Sequence, residues 1–169
     1  MSRNNLRASA SRSASVSRSV TRVSVANAQQ RAPVGVRRIV ALIRCAMRRL
    51  RIHASGTMAV TFIGARQMRR INRQALGHDW VTDVLTFRYD GEPVVGEILI
   101  APSVAKRYAK THGIPYEEEL ARYVVHGLLH WQGHDDQTPA QQRRMRVLED
   151  RLLVQCHCRR RQSTDHSPQ

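Results

Sequence analysis

The chain is short of acids, lysine, aromatic side chains and cysteine. Its 169 residues include 13 Asp or Glu against 28 Lys or Arg, a formal charge of +15 with a pI near 11.4. No acid occurs between Met1 and Arg51, a stretch that holds twelve arginines. Lys106 and Lys110 are the only lysines, so nearly all the positive charge is guanidinium, whose planar fork of donors fits phosphate oxygens. Such a balance points to nucleic acid or an anionic membrane as partner, with arginine used for solubility as the plainer alternative. No apolar run nears the ~20 residues that a membrane span requires. The opening MSRNNLRASASRSASVSRSV has no hydrophobic centre and does not read as a secretory signal. Its Ser/Arg-rich character resembles an organellar transit peptide; a disordered basic tail or a start codon taken too early fits it better. Cys45, Cys156 and Cys158 are an odd set without a secretory signal, and are expected as reduced thiols of a cytoplasmic protein. CHC at 156–158 is too short a cluster to stand as a metal site and reads as frayed tail.

Pattern and punctuation divide the rest. Residues 1–19 lack the apolar side chains that would offset ordering entropy and read as a disordered tail; residues 157–169 read as a second, basic tail. Between them, 20–156 reads as one domain. VTRVSVAN (20–27) alternates valine with polar residues, as a strand does. In VRRIVALIRCAMRRLR (36–51), Ile39, Ile43, Ala46 and Leu50 recur at helical spacing opposite arginines. TMAVTFI (57–63) is expected as a strand, ARQMRRINRQAL (65–76) as a helix ending near Gly77, and TDVLTFRY (82–89) and VGEILIA (95–101) as strands joined by the turn DGEP (90–93). Ser103 is expected to cap a helix running to His112. EEELARYVVHGLLHW (117–131) opens with three acids where a helix N-terminus favours negative charge. Thr138 and Pro139 start a last helix, to about 155. The order predicts an α+β fold, a mixed four-stranded sheet packed with helices.

His126 and His130 stand four apart in HGLLHWQGHDD (126–136), the spacing that brings two imidazoles to one helix face. Both can then reach one zinc, whose catalytic form takes a third protein ligand and keeps a fourth position open. Gly133 lets the chain turn left-handed and double back. The third ligand is then Asp136, as in H-x-x-x-H-x-x-G-x-x-H patterns, with His134 and Asp135 as rivals that require other turns. A carboxylate is harder than imidazole and makes manganese easier to admit. Position 127, where an H-E-x-x-H protease carries its general base, is glycine, which excludes peptide hydrolysis by that route and is expected to leave space beside the metal for a bulky substrate. Metal chemistry with arginines nearby suits a phosphodiester better than a peptide.

These residues resemble the YbeY family of bacterial rRNA-maturation endoribonucleases. HGLLHWQGHDD is similar to its H-G-x-L-H-x-x-G-x-D-H signature. INRQALGHDWVTDVLTF (71–87) is similar to its L-N-x-x-x-R-G-K-D-x-P-T-D-V-L-S-F segment, and GEILIAPSVAKRYAKTHGIPYEEELARYVVHG (96–127) to its G-D-I-x-I strand and the run into the histidine helix. The likeness covers about 21–155. It implies an α+β fold with a metal site in a basic cleft, one Zn2+ or another divalent ion on His126, His130 and Asp136, and single-strand-specific cleavage in rRNA maturation. The tasks implied are late processing of the small-subunit 3′ end and ribosome quality control, with the rRNA precursor and small subunit as partners. Two departures stand out. The family's third histidine falls on Asp136, and its arginine and lysine before the aspartate fall on Leu76 and His78. Arg73, one turn earlier, is the expected substitute for that arginine, with Arg69 and Arg70 next. Thr82 is expected to serve turn geometry beside Asp83, and Glu97 either orients a ligand or is an exposed strand-end acid. The alternative functions are a ribosome-assembly RNA-binding factor with a structural metal, or an amide hydrolase using Asp135 as base.

Overall fold

The structure, a computed structural model, describes residues 21–53, 55–89 and 94–157. The expected N-terminal tail, the DGEP turn, Cys158 and all of the expected C-terminal tail except His157 lie outside the described residues. Alternating valines form β1 (Thr21–Asn27), and the arginine-faced amphipathic segment forms α1 (Val36–Arg49). Then follow β2 (Gly56–Phe62), α2 (Ala65–Leu76), β3 (Val84–Arg88), β4 (Val94–Ile100), α3 (Pro102–His112), α4 (Tyr116–Trp131) and α5 (Pro139–His157). The sheet runs β1-β2-β4-β3, with β1, β2 and β4 parallel and β3 antiparallel to β4. The expected mixed four-stranded α+β domain is therefore what forms.

The core follows from strand alternation. Ile98 and Ile100 of β4 join Ile39 and Ile43 of α1 and Val124 and Leu128 of α4 in the main cluster. Leu99, between them, faces the other way, with Leu85 of β3 and Met68 of α2. The helix α4 is enclosed further by α5, through Val125, Leu129, Met145 and Leu152. A helix covered on so many sides is apolar around most of its circumference, which explains its paired Val and Leu residues.

Close approach of α4 to the sheet is set by Gly127. A Cβ there would lie 2.5 Å from Ile98 Cγ2 and 3.1 Å from Val84 Cγ1. The space expected beside a metal is instead occupied by the sheet; glycine is at 127 because the helix packs there. Nearby, the buried Trp131 ring lies against Gly96, and its Nε1–H donates to Val95 O at 3.1 Å.

Two local expectations are revised. Ser103 does not cap α3: Ala101 is the N-cap and Pro102 begins the helix without a side-chain cap, since proline at the first turn needs no amide partner. Cys45 and Cys156 are not free thiols but a disulfide between α1 and the end of α5, with Cα atoms 5.8 Å apart and 111 residues between them in sequence. The packing of α1 and α5 on α4 and on each other brings them together. By contrast, Thr138 starts α5 as expected and more fully: its Oγ1 accepts the Gln141 N–H at 3.3 Å, while Gln141 Oε1 accepts the Thr138 N–H at 2.8 Å. That reciprocal pair is a capping box.

Two measurements check this packing. Gly127→Ala should lower the unfolding free energy in urea by about 1–3 kcal/mol, the usual cost of overpacking. An unchanged midpoint would mean that the helix stands off the sheet. Thiol titration of unreduced protein should find one reactive thiol among the three cysteines, and reduction should lower stability by about 2–4 kcal/mol. Three thiols before reduction would refute the pairing.

Candidate metal centre

The helix α4 ends in a turn that carries the third donor back to the first two. Gly133, at φ 99°, follows the last helical residues. Its N–H donates to His130 O at 2.9 Å, and the His134 N–H donates to Leu129 O at 3.0 Å. These are the two bonds of a Schellman ending. The chain reverses, and Asp135 Oδ1 accepts the Asp136 N–H at 2.8 Å. Asp136 then places Oδ2 3.6 Å from His126 Nε2 and Oδ1 3.6 Å from His130 Nε2. His134 and Asp135, the rival donors, instead lie in the turn that presents it. His126, His130 and Asp136 form a group able to hold a metal ion, with ligand atoms within 4.8 Å of one another.

The tautomers fit that role. His126 Nδ1 lies 2.8 Å from Glu149 Oε1, and His130 Nδ1 lies 2.9 Å from His134 O. Both acceptors are oxygens, so each Nδ1 carries a proton and each Nε2 is turned inward. These Nε2 atoms are 3.0 Å apart. With both rings neutral this contact would set lone pair against lone pair, which a shared cation relieves; with His126 charged, its Nε2–H would donate to His130 Nε2. Tetrahedral zinc with bonds of ~2.0–2.1 Å separates its ligand atoms by about 3.3 Å, between the 3.0 Å of the Nε2 pair and the 3.6 Å from each Nε2 to its own nearer carboxylate oxygen of Asp136.

Glu149 is the residue that sequence reasoning missed. It is 4% exposed on α5, and its second oxygen accepts from Arg122 Nη1 at 3.1 Å. Arg122 also binds Asp150 at 2.6 Å and lies 3.6 Å from buried Glu119. Burial works against charge on His126, but the Glu149 hydrogen bond and the charges of Asp83, Glu149 and Asp136 outweigh it and raise its pKa. Burial also raises the Glu119 pKa, against the pull of Arg122 and Arg146. The signal for Glu149 in the sequence is faint, one of two adjacent acids on a helix with arginines around them. Only tertiary packing distinguishes it from a solvated charge.

Two open pockets meet at His126. One, of about 360 Å³, is lined by His126, Asp136, Arg143, Arg146 and Glu149. The other, of about 420 Å³, runs from Trp80 past Thr82 and Asp83 to His126, Arg122 and Glu149. A larger pocket of about 510 Å³ lies between α1 and the start of α4, beside the disulfide; the donor trio does not line it. Arg73 lines none of the three. It is exposed on α2 with Nη1 3.8 Å from Asp79, while Arg69 makes bonds of 2.9 and 2.7 Å to the same carboxylate. The hydrogen bond from Arg69 holds the Asp79 pKa below the ordinary range. The arginines beside the trio are Arg122, Arg143 and Arg146. Thr82 serves turn geometry as expected, donating to Asp83 Oδ1 at 3.0 Å, while that oxygen also accepts the Val84 N–H. Glu97 accepts from Tyr89 Oη at 3.2 Å; the histidine-orienting carboxylate is Glu149.

Comparison with known proteins agrees with this geometry. The family described as Endoribonuclease YbeY matches residues 24–157. An Endoribonuclease YbeY of Chlorobaculum tepidum is 41% identical over 101 residues, covering 59% of this chain and 74% of its own. One from Aromatoleum aromaticum is 38% identical over 104 residues, covering 61% and 68%. The solution structure of a Thermotoga maritima protein shares the fold, with a TM-score of 0.58 at 23% identity over 86% of this chain and 97% of that one. With its histidine helix, its returning carboxylate and the match running from the first strand to the last helix, the chain belongs to the YbeY endoribonuclease family.

Proposed function

We propose that the protein is a zinc-dependent endoribonuclease that cuts single-stranded RNA during ribosomal RNA maturation. Its proposed tasks are late processing of the small-subunit 3′ end and ribosome quality control. The precursor rRNA and small subunit are its partners in this reading, and the cytoplasm its compartment. Among the described residues no helix is long and apolar enough to cross a membrane. The observation that carries the proposal is the inward-facing Nε2 pair closed by the Asp136 carboxylate in an arginine-lined cleft.

In this reading His126, His130 and Asp136 hold Zn2+, and the carboxylate would also admit another divalent ion. A bound ion would supply Lewis-acid chemistry, polarising a phosphoryl oxygen and easing loss of a proton from the attacking water. Glu149 fixes the His126 ring and its tautomer, and Arg122 fixes Glu149. Arg143 and Arg146 offer guanidinium donors to phosphate oxygens as negative charge accumulates. Arg73 serves RNA contact at the rim, since an exposed pairing with Asp79 is weak enough to exchange for a phosphate. Gly127 can neither accept a proton nor orient water, so the helix carries no base for a peptidase step at that position. The alternative is an assembly factor with a closed structural metal; the three donors grouped among the described residues match instead the ligand number of a catalytic site.

Metal analysis of the purified protein and of His130→Ala, beside cleavage of a single-stranded rRNA fragment, tests the reading. The parent should carry about one ion per chain and cut the fragment, and the variant should lose both properties. Full cleavage by the metal-free variant would overturn it. Glu149→Gln should fold and weaken zinc binding by about 10–100-fold in competition with a chromophoric chelator, as loss of a ligand's orienting partner does. Parental affinity would reduce Glu149 to an anchor for Arg122.

A further inference from the structure

The connection between α2 and β3 exposes an aromatic ring that neither the core nor the donor trio uses. Trp80 is 57% exposed, whereas the chain's other tryptophan, Trp131, is buried. The Trp80 backbone is firmly held. Gly77 ends α2 in the left-handed conformation at φ 74°. Asn72, 1% exposed, donates through Nδ2 to Trp80 O at 3.0 Å. Arg69 clamps the neighbouring Asp79 through both carboxylate oxygens. One face of the indole stacks on His78, with centroids 4.3 Å apart and planes 14° from parallel. The ring also lines the pocket that ends at His126.

A flat, backed aromatic at one end of a pocket and a phosphodiester-directed site at the other match one kind of ligand. Every nucleobase has a face that stacks on an aromatic side chain, so such platforms serve single strands with little regard to sequence. We propose that Trp80, backed by His78, takes one unpaired base of the RNA and thereby positions a neighbouring phosphodiester at the donor trio. Trp80 is then a binding and specificity residue, and strand selection follows directly. A base inside a duplex is stacked on both sides and cannot give a face to the platform. This inference rests on the endoribonuclease reading.

The test is a titration of the His130→Ala protein, which prevents cutting, with a single-stranded oligoadenylate, read by tryptophan emission. An abasic strand of equal length and a duplex are titrated in parallel. Emission should fall with the oligoadenylate and hold with the abasic strand and the duplex, and Trp80→Phe should abolish the change while keeping affinity within about threefold. In protein with His130 intact, Trp80→Ala should raise KM for a single-stranded substrate about tenfold with little change in kcat, and Trp80→Phe should restore most of it. Equal quenching by the abasic strand, or parental KM in Trp80→Ala, would overturn the proposal while leaving the nuclease standing. Trp80-dependent quenching by a protein that never cuts RNA would overturn the nuclease while leaving the platform.

Discussion

The contact on which the rest depends is the one between α4 and the sheet at Gly127. A hydrogen in place of a side chain lets the helix backbone settle onto Ile98 and Val84. That depth fixes which face of α4 is inner and which is left for α5. His126 precedes the glycine and His130 follows three residues later, so both imidazoles turn from the sheet towards the cleft where α5 brings Glu149. The residue that disqualifies the helix as a peptidase is thus a packing device, and the donor geometry is one of its results.

The site is built outward from that contact in layers of opposite charge. Two imidazoles face a carboxylate; a second carboxylate, Glu149, steadies one imidazole; a guanidinium, Arg122, steadies Glu149 and reaches Asp150. In a chain so poor in acids, several of them are gathered here, where Glu119, Glu149, Asp150 and Asp136 surround α4 and α5. Burying Glu149 without Arg122 would leave an unpaired charge in a dry setting, which is far costlier than losing a surface pair. The scarcity of acid elsewhere leaves the arginine-rich surface unneutralised, and so suited to a polyanion.

Much of this was legible beforehand. Alternation gave β1, helical spacing gave α1, and the glycine and proline stops bounded α2, α3 and α4 to within a residue or two. The trio was also legible, because two of its members lie on one helical turn and the third follows a glycine at a fixed offset. What escaped depends on distance along the chain. Glu149 is 23 residues from the ring it orients, and Cys45 is 111 from Cys156; no local pattern marks either pairing. Gly127 was misread for a different reason. Helical periodicity says which face a residue occupies but not how near the opposing layer comes, so glycine beside a metal ligand looked like room for substrate when it was contact with Ile98.

The position of Glu149 on α5 has an implication for biogenesis. Every other described element precedes α5 in the chain, so during translation the histidine pair emerges and can pack against the sheet before its supporting carboxylate leaves the exit tunnel. Until then His126 lacks the partner that sets its tautomer, and the nascent cleft is a poorer trap for any ion.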